Sequence, residues 1–163
     1  MGTARLKAFR VGSGRHAVFQ GEGPRLHGGR WNSAGRAVVY CGASFAIALL
    51  ERLVYAAIGS VPENDRWVMA EIPDRLVELL DEATLPGWDA PGSSVARSYG
   101  DRWLAEGRSV ALVVPSAVTR IDRNVVINPS HPEFGAVVVG EERPVPWDRR
   151  LFARPAASTH RVG

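Results

Sequence analysis

Residues 26–44, LHGGRWNSAGRAVVYCGAS, set Gly28-Gly29-Arg30-Trp31-Asn32, a turn and an apolar strand side by side. Glycine opens backbone shapes closed to other residues and lets a ligand or a neighbouring group come close to the chain. Arginine clasps a phosphate or carboxylate through two parallel hydrogen bonds. The stretch therefore reads either as a structural turn or as the wall of an anion-binding site. The NSAG turn leads into AVVY (37–40), a short buried strand that ends on Tyr40.

On the C-terminal side, Ser44 can cap a helix running to about Ala57, with Gly59 as its stop. RWVMAEIP (66–73) reads as a strand, DRLVELLD (74–81) as a short helix or turn-rich segment, and LPGWDAPGSS (85–94) as a loop. A helix is expected over 94–107, ended by Gly107, and strands over 109–116, 123–129 and 136–148. The tail from Arg154 to Gly163 has no pattern and reads as loose. Strands and helices mix without a regular βαβ beat, and no glycine-rich phosphate loop follows the first strand. The expectation is one α/β (mixed α+β) domain over residues 1–163.

Composition excludes several classes. The 163 residues are 45% hydrophobic and 23% charged, enough to bury a core without staples. A single cysteine, Cys41, rules out an internal disulfide, and no His or Cys spacing suits a metal site. The richest apolar run, Ala43–Ile58, is interrupted by Glu51 and Arg52, so no membrane span is expected. The N-terminus lacks an apolar signal core, which points to the cytoplasm. The formal charge is +3, yet the arginines are scattered and Lys7 is the only lysine. A nucleic-acid footprint clusters on one face or run, so a basic nucleic-acid-binding module is a distant alternative.

The chemistry-bearing candidates each have an ordinary structural reading. Glu51 lies on a helix whose wheel is apolar nearly all round, the pattern of a buried helix. A carboxylate there needs a partner, and Arg52 points about 100° away on an ideal helix; alternatively Glu51 sits at the rim and caps a loop. Arg30 could brace a loop against a carbonyl. Tyr40 could be core filling with a hydrogen-bonded hydroxyl. Ser116, after Pro115, could start a turn, and no G-x-S-x-G elbow surrounds it. His131, between prolines, reads as a turn former.

Together these residues resemble a known family. GEGPRLHGGRWNSAGRAVVYCGASFAIALLE (21–51), GDRWLAEGRSVALVVPSAV (100–118) and RNVVINPSHPEF (123–134) are similar in order, spacing and flanks to the RES domain, from about Phe9 to Phe152. The family's arginine, tyrosine and glutamate fall on Arg30, Tyr40 and Glu51. Its serine falls on Ser116, with Ser130 as second choice. Tyr55 stands where members often carry a histidine.

The resemblance implies a fold like that of ADP-ribosyltransferases and the toxin of a bacterial RES–Xre toxin–antitoxin pair. It implies cleavage of NAD at the nicotinamide–ribose bond by phosphorolysis or hydrolysis, or else mono-ADP-ribosylation of a host protein. NAD would be substrate, with inorganic phosphate as a candidate co-substrate and no metal. An Xre-like antitoxin would occlude the active site in a hetero-oligomer and make any contact with nucleic acid. Arg30 suits the pyrophosphate of NAD, Tyr40 or Trp31 could stack on the nicotinamide, and Glu51 could stabilise an oxocarbenium-like ribose.

Overall fold

The computed structural model describes residues 4–55 and 60–153. In chain order the elements are β1 (Arg5–Ser13), α1 (Glu22–His27), β2 (Val39–Gly42), α2 (Phe45–Tyr55), β3 (Asp65–Pro73) and β4 (Val77–Leu79). They continue with α3 (Ser94–Glu106), β5 (Ala111–Pro115), β6 (Arg123–Ile127), β7 (Val138–Val139) and β8 (Arg143–Pro144). The strands form one sheet in the order β4-β5-β6-β2-β1-β3-β7, with β8 also on β3. Among the described residues, only β4 and β5 run parallel. This is the expected mixture of helix and strand.

Period-two alternation sorts the central strands onto two faces. Val39, Cys41, Ala111, Val113, Val125 and Ile127 pack on one. Val38, Leu112, Val114 and Val126 pack on the other, beneath Ala96 and Trp103 of α3. Helix α3 begins at Ser93, whose side chain accepts from the Ala96 amide, and ends at Gly107 in the left-handed region. The Gly107 end is the expected one, and the Ser93 cap is what the structure adds.

Helix α2 departs from the all-round burial that its wheel suggested. Only Ile47 and Ala48 are buried, whereas Val54 is 56% and Tyr55 81% exposed. It covers the sheet with one side, placing Phe45 against Phe9 and Trp67, and its far apolar side reaches the surface. The expected end at Ala57, the Gly59 stop and the tail from Arg154 lie outside the described residues.

The segment 74–81 resolves into a 3-10 turn, Asp74–Leu76, followed by β4. The single strand expected over 136–148 is two short ones. Pro144 and Pro146 cannot donate to a ladder, so the pairing there is brief. Strand β1 had no counterpart in the sequence reading. It pairs along its whole length with β3, from Arg5↔Pro73 to Ser13↔Asp65.

Candidate active site

Between β1 and β2 the registered pairing is one residue long, Phe9↔Gly42. Beyond it the strands part, and a cleft of about 760 Å³ opens there. Phe9–Ser13 and Tyr40–Gly42 line its floor. The turn after α1, the outer half of α2 and Pro115, Ala117 and Val118 supply the walls.

The two glycines of the opening stretch have separate reasons. Gly28 sits at φ +71°, a left-handed conformation that side chains rarely adopt. At Gly29 a Cβ would stand 2.6 Å from the Tyr40 Oη and 2.9 Å from Asn32 Oδ1. Gly29 is therefore the seat on which Tyr40 packs. The Tyr40 hydroxyl donates to Asn32 Oδ1 at 2.7 Å and accepts from the Trp31 amide at 3.0 Å. Burial pushes this phenol well above its ordinary pKa.

Asn32, fully buried, gives its amide protons to the carbonyls of Pro24, Ser33 and Arg36. It is the hub of the turn. On the other side, Gly100 of α3 lies so close to Trp31 that a Cβ would overlap the Trp31 carbonyl oxygen. A tyrosine, an asparagine and a helical glycine thus fix where Arg30 leaves the chain.

Arg30 braces a loop from within the cleft. It lines the cleft, and its Nη1 donates to the carbonyls of Trp88 and Ala90, each at 2.9 Å. Among the described residues no carboxylate forms a salt bridge with it. Trp31 also contributes to the cleft lining. It is only 3% exposed, its ring stacked on Trp88 with 6.3 Å between centroids and met edge-on by Tyr99. Most of this indole is packed into the core.

Glu51 lines the opposite wall. Its Oε1 accepts from Ser116 Oγ at 2.8 Å and from Asn124 Nδ2 at 2.7 Å. The register that pairs Asn124 with both Gly42 and Val114 brings that amide under α2. Both donors fall on one oxygen, so Oε2 has no hydrogen-bond partner among the described residues. Arg52 takes no part, as its wheel position indicated. It forms a two-bond pair with the buried Asp65, at 2.8 and 2.9 Å.

Ser116 lies behind the Glu51 carboxylate. It is fully buried, and its neighbours Pro115, Ala117 and Val118, not Ser116 itself, line the cleft. Its oxygen also accepts from the amides of Val118 and Thr119. A hydroxyl whose proton is on Glu51 and whose lone pairs meet amides holds a carboxylate in place. Ser130 lies elsewhere, exposed in the turn after β6 with its amide on Asn128 Oδ1. His131 shapes the same turn, its Nδ1 accepting from the Glu133 amide. Tyr55 stands at the cleft rim.

Two contributors escaped the sequence reading. Asn124 was visible only as a polar residue opening an apolar strand. Arg10 is on β1, where no strand was expected. Its Nε donates to the Val18 carbonyl at 2.6 Å and its Nη1 to the Tyr40 carbonyl at 2.8 Å, across the gap between β1 and β2. Arg10, Arg30, Arg52 and Glu51 all line the cleft, and only Arg52 is neutralised, by Asp65. The site is cationic with one fixed carboxylate. No group of three or more His, Cys, Asp or Glu side chains among the described residues could hold a metal ion, and no described helix is long and apolar enough to cross a membrane.

A mixed α/β domain with a cationic cleft, a carboxylate set on a helix and an arginine carried on a glycine turn is the class these elements define. The chain belongs to the RES domain family, which matches residues 7–148. It is 37% identical over 141 residues to a protein of Sphingobium sp. (strain YBL2) named Prs ADP-ribosylating toxin, covering 83% of this chain and 88% of that one. A protein named Toxin Res from Pseudomonas putida is 35% identical over 139 residues, covering 84% of this chain and 94% of its own. Among solved structures, one described as the M. tuberculosis MbcT-MbcA toxin-antitoxin complex shares the fold. Its TM-score is 0.66 at 18% identity, over 88% of this chain and 85% of that one.

Proposed function

We propose that this chain is the toxin of a bacterial toxin–antitoxin pair, acts in the cytoplasm, and consumes NAD by breaking its nicotinamide–ribose bond. The observation that carries the reading is the pairing of a fixed, unneutralised carboxylate with unneutralised arginines in one cleft. NAD has a pyrophosphate for the arginines and a flat ring for the exposed face of Tyr40. Its bound nicotinamide is a cation, so when the C1′–N bond breaks the electron pair neutralises the ring and no strong acid is needed. The ribose develops oxocarbenium character, and Glu51, through Oε2, stabilises it or holds a ribose hydroxyl. An acceptor oxygen then bonds to C1′, losing its proton if it came from water or a side chain. Ser116 and Asn124 act through Glu51. Inorganic phosphate or water as acceptor gives phosphorolysis or hydrolysis.

A second reading, mono-ADP-ribosylation of a host protein, is favoured by the name of the Sphingobium relative. In either case the host must be protected, and an Xre-like antitoxin covering the cleft would do so, carrying any contact with nucleic acid. The M. tuberculosis structure, itself described as a toxin–antitoxin complex, supports such a partner. The test is incubation of the purified chain with NAD, with and without phosphate and with host extract, and product identification by mass. Nicotinamide release is expected, with ADP-ribose, its 1″-phosphate or a modified protein naming the acceptor. Intact NAD with folded, antitoxin-free protein would overturn the proposal.

A further inference from the structure

The segment that holds Arg30 and the turn that holds Glu51 are fastened to each other. Ser116, which donates to Glu51, opens a tight turn that closes with the Arg120 amide on the Ser116 carbonyl at 2.9 Å. Arg120 ends that turn at φ +66°, the only positive φ at a non-glycine residue among the described residues. This left-handed position favours glycine, and an arginine there is strained and must be held by what surrounds it. Its side chain shows the hold. Nε donates to the Ala117 carbonyl at 3.1 Å, and Nη1 pairs with Asp89. The guanidinium also lies over the Trp88 ring, 5.8 Å from its centroid. Asp89 stands between Trp88 and Ala90, whose carbonyls receive Arg30 Nη1. Arg120 itself does not line the cleft.

We propose that Arg120 is a positioning residue: it clasps residues 88–90 to the turn at Ser116 and so holds Arg30 at a fixed reach from Glu51. The side chains of the Arg120–Asp89 pair are 54% and 43% exposed, and a pair so exposed adds little to global stability. What it supplies is order. A segment set loose must be ordered again each time a ligand binds, and that cost weakens ground-state binding. The turn at Ser116 keeps its own backbone bond, so Glu51 stays in place and the chemical step is spared. The ligand that Arg30 meets rests on the NAD reading, whereas the clasp itself can be tested without turnover.

The experiment compares the full chain with Arg120→Gly, Asp89→Ala and their double variant. Arg75→Ala, which breaks the surface pair with Glu133 away from the cleft, is the control. Melting curves, amide hydrogen exchange over residues 85–94 and steady-state NAD kinetics are measured on each. Arg120→Gly removes the side chain and relieves the backbone, so its melting temperature is expected to hold or rise. Exchange over 85–94 is expected to quicken about 3–10-fold and KM for NAD to rise by a similar factor, the scale of ordering one freed segment, with kcat nearly constant. Arg75→Ala is expected to change neither. The double variant should be no worse than the worse single one, because both remove one contact. Arg120→Lys, which keeps a charge for Asp89, should recover part of both effects, and with Asp89→Ala it decides the matter should Arg120→Gly not fold. Unchanged exchange over 85–94 in the folded variants overturns the clasp. Faster exchange with an unchanged KM, or a loss confined to kcat, overturns the positioning of Arg30. Wild type that leaves NAD intact overturns the NAD reading alone; the exchange result then decides the clasp, and ADP-ribose affinity by calorimetry takes the place of KM.

Discussion

The two walls of the cleft hold their charges by opposite means. On the arginine side, Arg10 and Arg30 are tied to backbone carbonyls of Val18, Tyr40, Trp88 and Ala90. On the carboxylate side, Glu51 is tied to two neutral side chains, Ser116 and Asn124. Arg52, the next residue, has instead found a carboxylate of its own. Carbonyls, amides and hydroxyls orient an ion without cancelling its charge; an ion pair cancels it. The difference separates charges kept for a ligand from a charge spent on structure. It also makes one wall dependent on loop geometry and the other on side-chain contacts, and substitutions can separate the two.

The largest effect is expected at Glu51. Glu51→Gln keeps the shape and can still accept from Ser116 and Asn124, so folding should be little changed. Turnover of NAD should fall about 10²–10³-fold, as for the loss of one preorganised electrostatic group. NAD affinity should change far less, because the cationic ribose develops only in the transition state. Steady-state kinetics beside a melting curve decide it. A near-wild-type rate in folded protein would remove the carboxylate wall from the chemistry.

The arginine wall should fail through its backbone. Gly29→Ala places a methyl on the Tyr40 hydroxyl and Asn32 Oδ1, so the ring must move and the hub of the turn must open. A loss of about 1–3 kcal/mol is expected, the range for overpacking a tight site, together with reduced turnover per folded molecule as Arg30 shifts. Gly23→Ala is the control, since a Cβ there meets nothing within 4 Å. Urea denaturation of both variants checks the difference. Equal stability of the two would mean that Tyr40 does not need Gly29 as its seat.

How much of this was legible follows from the range of each interaction. The Gly107 end of α3 is local chemistry and stood in the sequence. So did the glycine pair, the strands at 66–73, 109–116 and 123–129, and the candidates Arg30, Tyr40 and Glu51. Strand β1 was not legible. Arg5 and Lys7 alternate with Leu6 and Ala8, but the phase changes at Phe9 and Arg10, and its long partner starts at Asp65, far along the chain. Arg10 was lost with it. Asn124 needed the register of β6 against β2 before its meeting with α2 could be seen. Trp31 and Ser116 were legible as candidates by residue type, whereas their burial is set by packing and could not be read from the sequence.

A smaller effect separates support from chemistry within the carboxylate wall. Ser116→Ala and Asn124→Ala each remove one of the two donors to Oε1. Each should lower kcat about 10-fold, the scale of one hydrogen bond to a charged group, with KM nearly constant. The double variant should lose a different amount from the product of the two, since both act on one oxygen. A Ser116→Ala loss as large as that of Glu51→Gln would make the serine a direct participant.

The smallest effect concerns Cys41, on β2 beside Tyr40, where the two walls meet. Two influences compete at this thiol. The charge of Arg10 favours the thiolate, and burial opposes it; burial wins, and the thiol is pushed up from its ordinary 9.0 to about 12. In the unfolded chain the same thiol ionises near its ordinary value, so above that pH unfolding releases a proton and becomes easier as pH rises. The stability contributed by the neutral buried thiol is therefore intact below pH 9 and is lost progressively toward pH 12. Tyr40, also raised by burial, adds a loss of the same sign. Denaturation midpoints measured from pH 8 upward should fall, and Cys41→Ala should make the fall shallower without abolishing it. At pH 8 a thiol reagent should label the native chain only as fast as it opens, and labelling faster than opening would mean that the Arg10 charge outweighs burial at this point of the cleft.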